Sequence, residues 1–215
     1  MYVIIVGCGR VGSVLADLLS QEGHDVVVID SQEVKFKNLN PRFSGVTILG
    51  DGADINTLRE AKVEGADVLV AATGDDNSNL MSAQIAKKIF NVSRALVRVK
   101  DPKKMDVYQE YDLEPVSATT LAAYYLAEMV RVPREIKILT SLGNIKIVQF
   151  KLPNWKAGQK LAKMVDAGVF SPCLIKTENK VALTELETKF LPGAEVVGAI
   201  ALSKMKHLQR VAREE

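Results

Sequence analysis

The chain has 215 residues, 47% of them apolar and 25% charged, an ordinary composition for a soluble globular protein with one large or two small domains. Its net charge of +2 is too small for a nucleic-acid or membrane-surface binder, and no apolar run approaches the ~20 residues of a membrane span. The first strand-like run begins at the N-terminus, which leaves no room for a signal peptide. Cys8 and Cys173 read as free thiols of a reducing cytoplasm.

Strand-like and helix-like segments alternate up to about residue 132. Short, almost wholly apolar strands are predicted at Tyr2–Val6, Asp25–Ile29, Val46–Leu49, Val68–Ala72 and Ala95–Val99, with a weaker one at Glu114–Val116. Such runs suit parallel strands covered on both faces. Helices are predicted at Val11–Gln21, Glu33–Asn38, Ile55–Ala61, Asn77–Phe90 and Lys103–Glu110. Thr119–Arg131 is a further amphipathic helix, stopped by Pro133. Right-handed crossovers then give an α/β fold, a Rossmann-like doubly wound parallel sheet of strand order 3-2-1-4-5-6. Lys35, Lys37, Lys87, Lys88, Lys103 and Lys104 read as scattered, solvated surface charges.

Beyond Pro133 the pattern turns to period two. Ile136–Thr140 and Ile145–Lys151 flank Leu142-Gly143-Asn144 as a hairpin. A short helix near Gln159–Ala167 precedes strands at Pro172–Thr177, Val181–Thr184 and Glu195–Ala201. Turns fall at Glu178-Asn179-Lys180 and Leu191-Pro192-Gly193, and Ser203–Arg213 closes the chain as a helix. This places a nucleotide-binding-type domain at 1–132 and a small α+β C-terminal domain at 133–215.

The chemistry concentrates where the first strand meets Gly7-Cys8-Gly9-Arg10-Val11-Gly12. In a Gly-x-Gly-x-x-Gly turn between strand and helix, Gly7 permits the sharp turn and Gly9 the approach of a phosphate. Gly12 permits close helix–strand packing. The helix start offers unpaired N–H groups and a positive dipole end to an anion. Asp30 closes the second strand roughly 20 residues on, where a carboxylate takes ribose hydroxyls, with Ser31 beside it. Ligands of open α/β sheets bind outside the carboxyl ends of the strands, which adds two more loops. Gly50-Asp51-Gly52-Ala53-Asp54 leaves room for a flat base, with Asp51 able to accept an adenine amino group and Asp54 equally a helix cap. Ala72-Thr73-Gly74-Asp75-Asp76 lets backbone approach phosphate or ribose, with Asp76 an alternative cap. Arg98, in an apolar strand, either pairs an acid of the site or snorkels from the sheet end. Arg10 lies inside the phosphate turn, so a guanidinium there favours a ligand rich in phosphate charge.

The catalytic inventory is close to empty. His24 and His207 lie away from the ends of the central strands, and neither metal-ligand spacing nor a nucleophile motif appears. A nucleotide-sensing subunit is therefore favoured over an NAD(P)-dependent oxidoreductase, which rests on the glycine motif and Asp30 alone.

With these residues the chain resembles the RCK (KTN) gating proteins of potassium uptake systems, the TrkA/KtrA type. The glycine turn with Arg10, Asp30, Gly50-Asp51, Ala72-Thr73-Gly74-Asp75-Asp76 with Asn79, and Ala95-Leu96-Val97-Arg98 through Asp101-Pro102 carry the resemblance. The second part is similar to the family's C-terminal domain over Ile145–Lys151, Gly158–Leu161 and Leu191-Pro192-Gly193. The resemblance implies a non-enzymatic regulatory subunit whose dimers assemble into an octameric ring, of one chain or of two related ones. That ring would sit at the inner face of the membrane beneath a potassium-translocating TrkH/KtrB-type subunit. It implies binding of an adenine nucleotide, NAD(H) or ATP, ADP or AMP, with Gly7–Gly12 and Arg10 on phosphates and Asp30 on a ribose. Asp51–Ala53 would meet the adenine and Ala72–Gly74 the sugar-phosphate edge. Thr119–Arg131 would face either its own core or the same helix of a partner. Ala194 replaces an acid usual in the family's C-terminal turn. Val116-Ser117-Ala118-Thr119 stands where many relatives carry the Pro-Glu of an intersubunit metal site, so no metal is expected.

Overall fold

The computed structural model describes residues 1–132, 134–152, 170–177, 180–184, 188–189 and 193–212, in two compact units, Met1–Ala122 and Ala123–Glu215. In the first unit the elements run β1 (Tyr2–Val6), α1 (Arg10–Gln21), β2 (Asp25–Asp30), a 3-10 helix (Glu33–Asn38), β3 (Val46–Leu49), α2 (Ile55–Glu60) and β4 (Val68–Ala71). They continue with α3 (Asp76–Lys88), β5 (Arg94–Arg98), α4 (Met105–Glu110) and β6 (Glu114–Val116). The strands form one parallel sheet of order β3-β2-β1-β4-β5-β6, as the crossover rule required. Register pairs Val3 with Val26 and Val68, and Val6 with Ile29 and Ala71, so β1 ends level with its neighbours. Successive residues of β1 and β2, which point to opposite faces of the sheet, are buried alike, as expected of strands covered on both faces. Ile4, Ile5, Val28 and Ile29 have no exposed surface, and each such burial contributes about 1.5–3 kcal/mol.

The segment Glu33–Asn38 is a 3-10 helix rather than an α-helix, with no buried residue to drive a longer one. Asp75, not Asp76, caps α3: its carboxylate accepts from Ser78 N–H at 2.7 Å and Ser78 Oγ at 2.9 Å. These bonds hold Asp75 below the usual carboxylate range. Asp76 is the first helical residue and instead receives Lys100 N–H at 2.9 Å. Asp54 caps α2 by accepting from Asn56 N–H at 2.9 Å.

The helix α5 (Ala118–Arg131) runs across the division between the units, ten residues earlier than the 132/133 expected. Its last turns belong with the second unit for a physical reason. Lys146 is 5% exposed and pairs Glu128 at 3.0 Å, and Val132 joins the second apolar core. Ser117 Oγ accepts from Thr120 N–H at 3.2 Å and so caps α5.

The second unit holds β7 (Ile136–Leu142), β8 (Ile145–Lys151), β9 (Phe170–Lys176), β10 (Val181–Leu183), β11 (Glu195–Ala201) and α6 (Met205–Ala212). Its strands form an antiparallel sheet of order β10-β9-β11-β8-β7, and β7 and β8 make the expected hairpin with Gly143 at φ +56°. Val148, Phe150, Val196, Ile200, Met205 and Leu208 are buried in one core, where Phe150 and Phe170 meet edge to face at 5.4 Å. Ala194 is wholly buried there, so an acid at that position does not fit this core. The helix expected near Gln159–Ala167, Glu178-Asn179 and Leu191-Pro192 lie outside the described residues.

Candidate nucleotide-binding cleft

Each glycine of the first turn meets a different constraint. Gly7 has φ +102°, and a Cβ there would lie 2.8 Å from Thr73 N. A Cβ on Gly12 would collide with the Gly7 carbonyl oxygen, so helix α1 reaches β1 only because that atom is missing. Gly9 differs. Its φ of −78° suits any residue, and a Cβ there would meet nothing within 4 Å. Packing within the protein does not explain that glycine, whereas a group entering the cleft does.

α1 starts at Arg10 with Gly9 as its N-cap residue, no side-chain cap and no acidic residue in the first turn. Ser13 N–H closes the first helical bond onto Gly9 O at 2.9 Å. The N–H groups of Arg10, Val11 and Gly12 are left as donors at the positive end of the helix, an arrangement suited to phosphate. Beside it opens a cleft of about 370 Å³. Gly7, Gly9, Asp30, Ser31, Asp51, Gly52, Thr73 and Gly74 line it. A Cβ on Gly52 would collide with Val6 Cγ1, so only glycine lets that loop close over the end of β1.

Asp30 anchors the turn as well as facing the cleft. Its Oδ2 accepts from Cys8 N–H at 2.7 Å and its Oδ1 from Gln32 N–H at 2.9 Å, and each oxygen keeps acceptor capacity. Asp51 accepts from Ala53 N–H at 2.9 Å in a local turn.

Other expected site residues stand outside the lining. The Cys8 side chain is fully buried, and burial first, then the Asp30 charge, pushes its thiol up to about 11. That side chain packs with Val3, Ile5, Val26 and Val28 in the core. Arg10 and Val11 are exposed and Gly12 is buried, and none of the three is among the residues that line the cleft. Ala53 and the buried Ala72 shape the loops from behind. Asn79 is 1% exposed and works on Thr73: its Oδ1 accepts from Thr73 N–H at 2.8 Å and Thr73 Oγ1 at 2.6 Å. Its Nδ2 donates to the Arg98 carbonyl at 2.9 Å. Arg98 neither pairs an acid nor leaves the sheet end; its guanidinium donates to the Thr73 carbonyl at 3.1 Å. Both residues brace the Thr73–Gly74 loop. The lining that sequence reasoning passed over includes Gln32, Lys35, Ser78 and Ser82. Only the position of Gln32 and Lys35 just after Asp30 hinted at the first pair.

A glycine turn on an unpartnered helix start, a carboxylate closing the next strand and a small-residue loop after β4 together define a Rossmann-like protein with a cleft of the nucleotide-binding type. Residues 3–117 match the family model of the TrkA-N domain, and the chain belongs to that family. It is 32% identical over 199 residues to the Trk system potassium uptake protein TrkA of Streptomyces coelicolor, covering 92% of this chain and 85% of the relative. A TrkA homolog from Methanothermobacter thermautotrophicus is 34% identical over 158 residues, 73% of each chain. Among solved structures, the GsuK channel covers 99% of this chain and 39% of its own, with TM-score 0.64 at 17% identity. The GsuK channel bound to NAD covers 98% of this chain and 38% of its own, with TM-score 0.53 at 19% identity. The AMP-bound Kef C-terminal domain of Shewanella denitrificans covers 62% of this chain and 84% of its own, with TM-score 0.54 at 22% identity. At these identities the likeness is one of fold.

Proposed function

We propose that the chain is a regulatory subunit of a Trk-type potassium uptake system that binds an adenine nucleotide in the cleft beside Gly9 and catalyses no reaction on it. The observation that carries this reading is Gly9 itself, a glycine that packing does not demand, set at an uncapped helix start. In this reading the N–H groups of Arg10–Gly12 hold phosphate oxygens, Asp30 and Ser31 a ribose, and Asp51–Ala53 the adenine edge. Thr73 and Gly74 take the sugar-phosphate edge. The NAD and AMP in the two liganded fold relatives are consistent with this ligand class.

The lining supports binding rather than chemistry. Its carboxylates each accept a backbone N–H: Asp30 from Cys8 and Gln32, Asp51 from Ala53 and Asp75 from Ser78. Such bonds tie these carboxylates to the walls of the cleft as acceptors. The names of the homologues support a membrane potassium-translocating partner at the cytoplasmic face. The exposed apolar side of α5 supports self-association of dimers into a ring. A nucleotide shifts such an assembly only by binding one of its conformations more tightly than another.

Calorimetric titration of the purified chain with AMP, ADP, ATP and NADH tests the site, with potassium flux through the reconstituted system as the functional measurement. We expect saturable binding of at least one of these nucleotides, a nucleotide-dependent flux and no hydride transfer from NADH to small carbonyl substrates. Failure of all four to bind would sink the reading.

A further inference from the structure

Lys35 is the one cationic side chain among the described residues that line the cleft, where the other charged groups are Asp30, Asp51 and Asp75. Two successive turns bring it there. Gln32 N–H folds back onto Asp30 Oδ1 at 2.9 Å, and Lys35 N–H donates to the Gln32 carbonyl at 2.9 Å. Residues three apart share a face of a 3-10 helix. Asn38, the next on that face, donates Nδ2 to the Cys8 carbonyl at 2.9 Å, so this face is docked on the glycine turn. Lys35 is half-buried, yet its ammonium has no hydrogen-bond or ion-pair partner among the described residues, not even Asp30 on the same wall. An ammonium confined this way keeps all its donors for whatever enters.

We propose that Lys35 is a specificity-determining residue that donates to the ribose hydroxyl oxygens whose protons Asp30 accepts. The assignment rests on the adenine-nucleotide reading of the cleft. A ribose hydroxyl is donor and acceptor at once, so recognition of the diol calls for groups of both kinds. Asp30 is acceptor only, and two backbone N–H groups already hold it in place. Lys35 supplies the missing donor from the turn that follows. Phosphate oxygens accept only, and the start of α1 already offers them its N–H groups.

The test uses the full chain, unaltered and as Lys35→Met and Lys35→Arg, titrated calorimetrically with AMP, ADP, ATP, NADH and 2′,3′-dideoxy-ADP. Lys35→Met should weaken ADP about tenfold while changing dideoxy-ADP by less than about twofold, and Lys35→Arg should recover most of the loss. Equal thermal midpoints for the three chains show that the fold is intact. A loss as large for dideoxy-ADP, a loss that grows from AMP to ATP, or no loss at all overturns the assignment and leaves the nucleotide reading standing. An unaltered chain that binds no ADP also overturns it, whereas the nucleotide reading falls only if AMP, ATP and NADH fail as well.

Discussion

Asp30 does two jobs with one carboxylate. It ties the glycine turn to the end of β2 through Cys8 N–H and Gln32 N–H, and it faces the cleft with its remaining acceptor capacity. Asp30→Ala therefore leaves two N–H groups without their charged acceptor, and should cost about 2 kcal/mol in urea unfolding. The same variant should lose affinity for every ribose-bearing nucleotide alike. Unchanged unfolding with unchanged binding would remove both roles. Asn79 separates the two effects more cleanly because it faces no cleft. Asn79→Leu removes the acceptor of Thr73 N–H and the donor to the Arg98 carbonyl in a part-buried setting and leaves Thr73 Oγ1 with Asp75 alone, at about 2 kcal/mol. Calorimetry should also show weaker nucleotide binding, because the Thr73–Gly74 loop loses its brace. Binding untouched by this variant would make the brace purely structural.

At the scale of elements, the β1–turn–α1 unit contains a built-in contrast. Gly12 is demanded by the protein, since a Cβ there runs into the Gly7 carbonyl, while Gly9 is not. Gly12→Ala should destabilise the chain by about 3 kcal/mol through overpacking. Gly9→Ala should cost at most about 1 kcal/mol, the difference between Gly and Ala at a helix N-cap position. It should nonetheless weaken nucleotide binding by at least about tenfold, because the new methyl group stands in the cleft. Paired thermal melts and titrations read both effects. A Gly9→Ala chain that binds as tightly as the unaltered one would contradict the placing of phosphate at this turn.

For the molecule as a whole, the exposed apolar surface of α5 is the feature that bears on assembly. Leu121, Tyr124, Tyr125, Leu126, Met129 and Val130 are all exposed on the single chain, Val130 at 87%. That concentration of apolar surface on one helix exceeds scattered surface residues and marks an interaction site. Covering a side chain of this size contributes about 1.5–3 kcal/mol. Light scattering should find the chain as an oligomer, and Leu126→Asp should yield a smaller species that still binds nucleotide. A Leu126→Asp oligomer of unchanged mass would point to another face.

The strand order, the element sequence and the glycine turn were legible in the chain because periodicity and turn chemistry are local properties. So was the family, carried by short motifs at fixed offsets. What each site residue does was not local. In the sequence Arg98 stands open between an acid partner and the sheet end, and Asn79 enters only with the family motif; in the fold both brace Thr73, because the register of β4, α3 and β5 brings them onto it. Cys8 sits inside the phosphate motif, yet its thiol points into the core. Lys35 reads as a solvated charge in the sequence, and a 3-10 turn carries it into the lining of the cleft. The sequence by itself determined that a nucleotide-type cleft exists and where its glycine turn lies, since strand, glycines and helix start are contiguous. The tertiary structure alone decided which side chains line that cleft and which only hold its walls, because those contacts join residues far apart in the chain.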